Sequence, residues 1–361
     1  MTTKDDDMQE INFSEKFNEE FKKARKSIKK PNILVLGGTG AGKSSLINLV
    51  FGKELATVGA GKPVTSGIHS YENELIRIYD SEGYESGEEG QTRYKNKVLD
   101  FVTYESRGLE NRVNLVWYCI SLANHRVFDI DTKTINEIVK TKRPIAVILT
   151  QADRVTEADS KALEAVIRES CPGIEIFEIS TDIKTGLTTD SLIDWAYKNL
   201  DEALREGFVA GAKNAITQKR KQSLSVVVQH AATAATVAAS PIPFSDAPLL
   251  VSNQIAMIAR LASIWDLPAI KSVAAGGVFA QLVSQLGRTL VGNIAKLIPG
   301  FGSAAGAAIN ATVASSITGA IGYSITEICE KISNDELEGK NNNILDYFKD
   351  GILEQLIKSK M

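Results

Sequence analysis

The stretch "NILVLGGTGAGKSSLINLVFG", residues 32–52, constrains the fold more than any other part of this chain. Ile33 to Leu36 form a continuous apolar run, as a strand buried on both faces should. Gly37-x-x-x-x-Gly42-Lys43-Ser44 follows at once, and Leu46, Ile47, Val50 and Phe51 then recur at helical spacing. A strand that turns through glycines directly into a helix opens a parallel α/β layer. The turn itself is a cradle for phosphate. Glycines at positions 37, 38, 40 and 42 admit backbone dihedrals closed to other residues. The N–H groups of Gly38, Thr39, Gly40, Ala41 and Gly42 can then curl into an anion nest, and the helix that starts near Ser44 and Ser45 adds its positive N-terminal end. In this pattern Lys43 reaches the β- and γ-phosphates and the Ser44 hydroxyl ligates Mg²⁺.

The pattern continues. Apolar segments at 74–80, 113–120, 145–150 and 174–180 alternate with helical spacing near 91–106, 129–141, 158–170 and 189–205. This predicts a mostly parallel, doubly wound sheet, whose ligands sit at the carboxyl ends of the strands. Ahead of it, Phe13, Phe17, Phe21, Ala24 and Ile28 mark an amphipathic helix over residues 8–30, read either as a helix packed on its neighbour or as a lipid-surface helix. Beyond residue 224 the composition changes: from Leu224 to Thr326 the charged residues are Arg260, Lys271, Arg288, Lys296, Asp246 and Asp266, among abundant Ala, Gly and Ser. That predicts closely packed helices. The expected organisation is an N-terminal helix (1–30), an α/β domain (31–205), an Ala/Gly-rich all-α domain (206–334) and a C-terminal amphipathic helix (335–361).

Three more stretches fall at predicted strand ends. In "PVTSGI", Thr65 can close over Mg²⁺ and the γ-phosphate, with Thr57 as the competing residue. In "DSEG", Asp80 would hold Mg²⁺ through water and the Gly83 N–H would face the γ-phosphate. In "TQAD", following Thr150 and Gln151, the Asp153 carboxylate can accept two hydrogen bonds from guanine. Adenine lacks those donors and would leave the carboxylate unpaired. Ser180 and Thr181 in "EISTD" are placed to meet the guanine oxygen through backbone N–H groups. Lys43, Thr65 and Gly83 are thus the expected catalytic groups, and Ser44, Thr65 and Asp80 the metal ligands.

On these motifs the chain resembles translation-factor-class GTPases of the Era and TrmE type. With "GKPVTSGIHSYE", "PIPFSDAPLL" and "IPGFGSAAGAAI", the whole chain is similar to a bacterial family that joins such a domain to an Ala/Gly-rich helical domain of the YcjF type. The resemblance implies a P-loop GTPase domain followed by an all-α domain, with GTP/GDP and Mg²⁺ as ligands. Two positions depart from the usual pattern. Thr150 and Gln151 stand where Asn and Lys are usual, and Tyr84 stands after Gly83, where many GTPases place the Gln that orients water. Slow intrinsic hydrolysis follows as an expectation, raised by a partner or by dimerisation through the GTPase domains. Arg126 and Glu82 are candidate helpers, more simply read as surface charges.

A net charge of −3 over 361 residues supplies no basic field for nucleic acid. Three scattered cysteines argue for a reducing, cytoplasmic setting. The function classes left open are a regulatory switch with a protein effector, a dynamin-like or immunity-type GTPase assembling on membranes, and a nucleotide-binding scaffold. Leu297 to Thr326 is uncharged and long enough to span a bilayer, but its Gly, Ser and Thr favour a helical domain with at most peripheral membrane contact.

Overall fold

The computed structural model describes residues 13–52, 62–65, 67–84, 87–103, 111–180, 187–239, 246–270, 304–340 and 343–348, with Gln355 and Ser359. The chain divides into two compact units, one running from Ile28 to Ala215 and the other joining the residues up to Ser27 with those from Ile216 onward.

The first unit is built on a seven-stranded sheet. Its strands are β1 (Asn32–Gly37), β2 (Lys62–Thr65), β3 (Ile68–Glu72), β4 (Arg77–Ser81), β5 (Leu115–Ser121), β6 (Ile145–Thr150) and β7 (Glu175–Glu178), in the order β2-β3-β4-β1-β5-β6-β7. From β4 to β7 all neighbours are parallel, while β2 and β3 add an antiparallel edge. β1, β5 and β6 are buried at every position, as their unbroken apolar runs require. Helices α2 (Lys43–Phe51), α6 (Asp190–Asn199) and α7 (Glu202–Gly211) cover one face, where Ile33, Val35, Trp117 and Ile148 meet Phe51 and Phe208. Helices α3 (Glu88–Thr103), α4 (Asp129–Lys140) and α5 (Glu157–Ser170) cover the other, where Leu34, Leu36, Tyr118 and Val147 meet Phe101, Ile135 and Ile167. Register brings the functional ends together: Val35 pairs with Asp80, Gly37 with Cys119, and Ser121 with Thr150.

Local chemistry sets the boundaries. The strand expected at 74–80 begins only at Arg77, because the Asn73 side-chain oxygen accepts the N–H groups of Leu75 and Ile76 at 2.8 and 3.0 Å and holds them in a turn. The helix expected over 189–205 is two helices, broken where Leu200 and Asp201 adopt ψ of 144° and 141°. α7 belongs to the sheet unit: Phe208, Val209 and Ala210 are fully buried, and a Cβ on Gly207 would stand 2.4 Å from the Lys29 carbonyl oxygen. The expected boundary at 205/206 falls inside α7, and the compact sheet unit runs on to Ala215.

The second unit contains α1 (Phe13–Ser27), α8 (Ile216–Ala238), α9 (Asp246–Ile264) and the 34-residue α10 (Ala304–Leu337). α1 is not a separate N-terminal segment. Phe13, Phe17 and Phe21 are buried with Ile258, Trp265 and Ile325, and Arg25 pairs with Asp266. Its apolar face is thereby spent on packing. Within the same core the Trp265 indole N–H donates to Ser223 Oγ at 2.8 Å. Small residues let the helices approach: a Cβ on Gly322 would stand 2.5 Å from Val227 Cγ2. The boundary expected at 334/335 lies inside α10, which is followed by a short 3₁₀ turn, Ile344–Phe348; of the rest of the expected C-terminal helix only Gln355 and Ser359 are described, both helical. Among the described residues no helix is long and apolar enough to cross a membrane. Residues 297–303 of the uncharged run lie outside the description.

Candidate nucleotide site

The site lies at the carboxyl ends of β1, β4, β5 and β6. Gly37, Gly40 and Gly42 take φ of 135°, 77° and 80°, values that L side chains rarely adopt. Gly37 is doubly constrained, since a Cβ there would stand 2.3 Å from the Cys119 carbonyl oxygen. The turn between them is closed by the Ala41 N–H, which donates to Gly38 O at 3.1 Å. The loop then enters α2 at Lys43. Lys43 Nζ donates to the Gly37 and Gly38 carbonyl oxygens at 3.1 and 3.0 Å. Burial lowers its pKa, and the nearby Asp80 carboxylate opposes that shift. Ser44 and Ser45 are exposed at the start of α2.

Asp80, the penultimate residue of β4, is the counter-charge. Burial raises its pKa, against the pull of Lys43 and His69. Its Oδ1 is buried without a hydrogen-bond partner. A buried carboxylate oxygen with no donor is costly, and a hard divalent cation or its water is what such an oxygen suits. The donor set of Asp80 and Ser44 thus fits Mg²⁺. Thr65 ends β2; its side chain, like Thr57, lies outside the described residues. His69 bonds to Glu82 at 3.2 Å, which gives both a partner on the edge of the sheet.

The departures at Thr150 and Gln151 have a structural counterpart. Thr150 Oγ1 donates to the Ala41 carbonyl at 2.8 Å. Gln151, at φ 59°, donates through Nε2 to Gly40 O at 3.3 Å and accepts from Ser121 Oγ at 3.0 Å. Two side chains therefore tie the end of β6 to the phosphate loop. Asp153 follows in a 3₁₀ turn, Ala152–Arg154, and its Oδ1 accepts from Ser180 Oγ at 2.7 Å. Besides the backbone N–H expected to meet the base, Ser180 has a hydroxyl that orients the Asp153 carboxylate. Thr181 lies outside the described residues. Gly42, Leu46, Leu49, Ile179, Asp153 and Arg154, among others, line a cavity of about 100 Å³ that joins apolar side chains to one acidic and one basic group.

On the other side of the loop a larger cavity, about 980 Å³, is lined by Gly38, Thr39, Tyr84, Gln91, Arg126 and Asp131 among others. Arg126 lies 4.3 Å from the Phe128 ring centroid, stacked over its face. Asp131 has no counterpart in the motif reading. It is 2% exposed, and it accepts hydrogen bonds from the Tyr84 and Tyr118 hydroxyls at 2.8 and 2.9 Å. The sequence signal was slight: a carboxylate three residues into a helix, where it also caps the Phe128 N–H at 3.0 Å. The Tyr84 phenol, raised far above its ordinary pKa by burial and by Asp131, stays protonated.

Two family models match the chain. Residues 32–151 match the 50S ribosome-binding GTPase family, and residues 205–352 match a domain of unknown function, DUF697. Neither match specifies the Era, TrmE or YcjF type that the motifs suggested. No curated protein matches the chain. Solved structures similar to it include elongation factor SelB from Methanococcus maripaludis (16% identity, 48% of this chain and 34% of that one, TM-score 0.32). A probable GTP-binding protein engB (16%, 46% and 97%, 0.35) and Toc33 from Arabidopsis thaliana in complex with Mg²⁺ and GMPPNP (21%, 48% and 82%, 0.31) are also similar. The chain spans about a third of the length of the SelB structure.

Proposed function

From a GTPase-family domain over residues 32–151 followed by a DUF697 domain over 205–352, we propose that this chain is a guanine-nucleotide switch that hydrolyses GTP slowly. The observation that carries the reading is the double tie from Thr150 and Gln151 to the phosphate loop. It supports a single site in which Asp153 reads a guanine while Gly37 to Ser45 hold its phosphates. Ser44 and Asp80 would hold Mg²⁺, which when bound neutralises charge on the phosphate oxygens. Lys43 exchanges its loop carbonyls for phosphate oxygens, and the loop N–H groups stabilise the charge that develops on the transferred group. Thr65 and Gly83 close over the reacting end. Slow turnover follows from Tyr84, which stands where many GTPases place the Gln that orients water: a phenol offers neither a carboxamide nor a basic group for that task. A protein effector or a second copy of this chain supplies what is missing, and DUF697 is the domain that answers to the nucleotide. A dynamin-like or immunity-type role on membranes is less favoured, since the apolar face of α1 is already packed.

The test is binding and turnover of GTP against ATP with Mg²⁺, for the wild-type chain and Lys43→Ala. GTP is bound and slowly cleaved by the wild type, and binding is lost in the variant. Undiminished affinity in Lys43→Ala removes this reading of the loop, and equal use of ATP removes the guanine assignment.

A further inference from the structure

Gly83 and Tyr84 lie directly on the phosphate loop. A Cβ on Gly83 would stand 2.2 Å from the Thr39 nitrogen and 2.6 Å from the Gly38 carbonyl carbon. The Tyr84 ring covers Gly38, with Cζ 3.1 Å from where a Cβ on that glycine would be. The segment after β4 is therefore packed on the backbone that faces the phosphates.

A buried carboxylate holds it there. Tyr84 donates its hydroxyl to Asp131 Oδ1 at 2.8 Å. Asp131 cannot follow if Tyr84 leaves: the Tyr118 hydroxyl, from the middle of β5, binds the same oxygen at 2.9 Å, and the Phe128 N–H binds Oδ2 at 3.0 Å. Burial raises the Asp131 pKa, and these three hydrogen bonds oppose that shift. The Tyr84 ring is also held edge-on against Tyr94 and Phe128, at centroid distances of 5.5 and 6.2 Å, and Tyr94 in turn accepts the Gly37 N–H at 3.2 Å. One hydroxyl thus joins the segment after β4 to a fixed carboxylate.

Resting on the guanine-nucleotide reading above, we infer that the Tyr84–Asp131 hydrogen bond is a latch that holds Gly83 against Thr39, and that a nucleoside triphosphate must release it to bind whereas a diphosphate need not. Two phosphates can be held by the amides of the loop alone. A third phosphate needs the Gly83 amide turned toward it and the space over Thr39 cleared. A ligand that binds only the released form has its apparent affinity reduced by the fraction of molecules that are latched. Asp131 is then a positioning residue that sets the preference between di- and triphosphate, acting through Tyr84.

The experiment is calorimetric titration of the full chain with GDP and with GMPPNP in Mg²⁺. Tyr84→Phe keeps the ring and removes the hydroxyl. A hydrogen bond to a charged group of this kind corresponds to a change of about tenfold or more in the latch equilibrium. The expected result is GMPPNP affinity raised about tenfold, with GDP affinity within about twofold of wild type. Asp131→Asn moves the ratio in the same direction, and in the double variant the two effects do not add. A GMPPNP-to-GDP ratio in Tyr84→Phe equal to that of wild type overturns the latch alone, because a merely structural role moves both affinities together. Failure of the wild-type chain to bind either nucleotide refutes the guanine-nucleotide reading and the latch with it.

Discussion

Thr150→Val isolates the tie between β6 and the phosphate loop. Valine has the shape of threonine, so no cavity is opened at a residue that is 5% exposed. What changes is the hydroxyl, which donates to Ala41 O at 2.8 Å and lies 3.4 Å from Ile120 O. Losing a buried donor and leaving its acceptor without that partner costs about 1–2 kcal/mol. For a unit of this size that is a fall in the melting temperature of about 3–6 °C. Calorimetry of the full chain reports it, and the transition to follow is the one that GDP shifts most, since a ligand stabilises the unit that binds it. GDP affinity falls as well. Gly42 packs on Thr150, with a Cβ position 3.0 Å from Oγ1, and Gln151 next in sequence holds Gly40, so a loosened strand end loosens the loop. A GDP-sensitive transition unmoved by Thr150→Val, with GDP affinity unchanged, refutes the reasoning.

Further outcomes follow from burial. Asp80 titrates above its ordinary value near 3.8 because burial penalises its charge. Such a group stabilises the fold below its ordinary pKa, and that contribution is lost as pH rises through the raised value. Asp80→Asn therefore melts higher than wild type without Mg²⁺, by a margin that grows as pH rises above the ordinary carboxylate value near 3.8; a margin that shrinks as pH rises contradicts the assignment. In the helical unit, Gly322→Ala and Gly319→Ala should have opposite signs. At 322 a Cβ would meet Val227 and Met257 inside 3 Å, whereas at 319 its nearest neighbour is Tyr323 at 3.8 Å. Overpacking of about 1–3 kcal/mol outweighs the roughly 1 kcal/mol helix gain at 322, while only the gain remains at 319. Urea unfolding that finds both variants stabilised would show that α8 and α10 are not in the close contact described.

What could be read in the sequence was what depends on pattern. The buried strands announced themselves as unbroken apolar runs, and β6 falls on the residues expected of it, 145–150. The phosphate loop was legible because only glycine suits the φ values at 37, 40 and 42. Features that depend on contacts across the chain were not legible. α1 reads as amphipathic from its own spacing, but nothing local says that Phe17 and Phe21 pack beside Trp265, more than 200 residues later. α7 looked like the end of one helix, since Leu200 and Asp201 carry no Gly or Pro to mark the break. Asp131 was hidden for the same reason: its partners Tyr84 and Tyr118 come from separate parts of the chain, and only the sheet brings them to one carboxylate.

The central claim is that Asp153 reads guanine at a site built on the phosphate loop. Its side chain is 26% exposed and its carboxylate is oriented by Ser180. Asp153→Asn inverts the hydrogen-bond polarity offered to the base while keeping its shape. The most direct measurement is the affinity of wild type and Asp153→Asn for GTP and for xanthosine triphosphate. The account predicts that the variant loses about 100-fold in GTP affinity and comes to prefer xanthosine triphosphate. An Asp153→Asn chain that keeps the wild-type preference for GTP would contradict it.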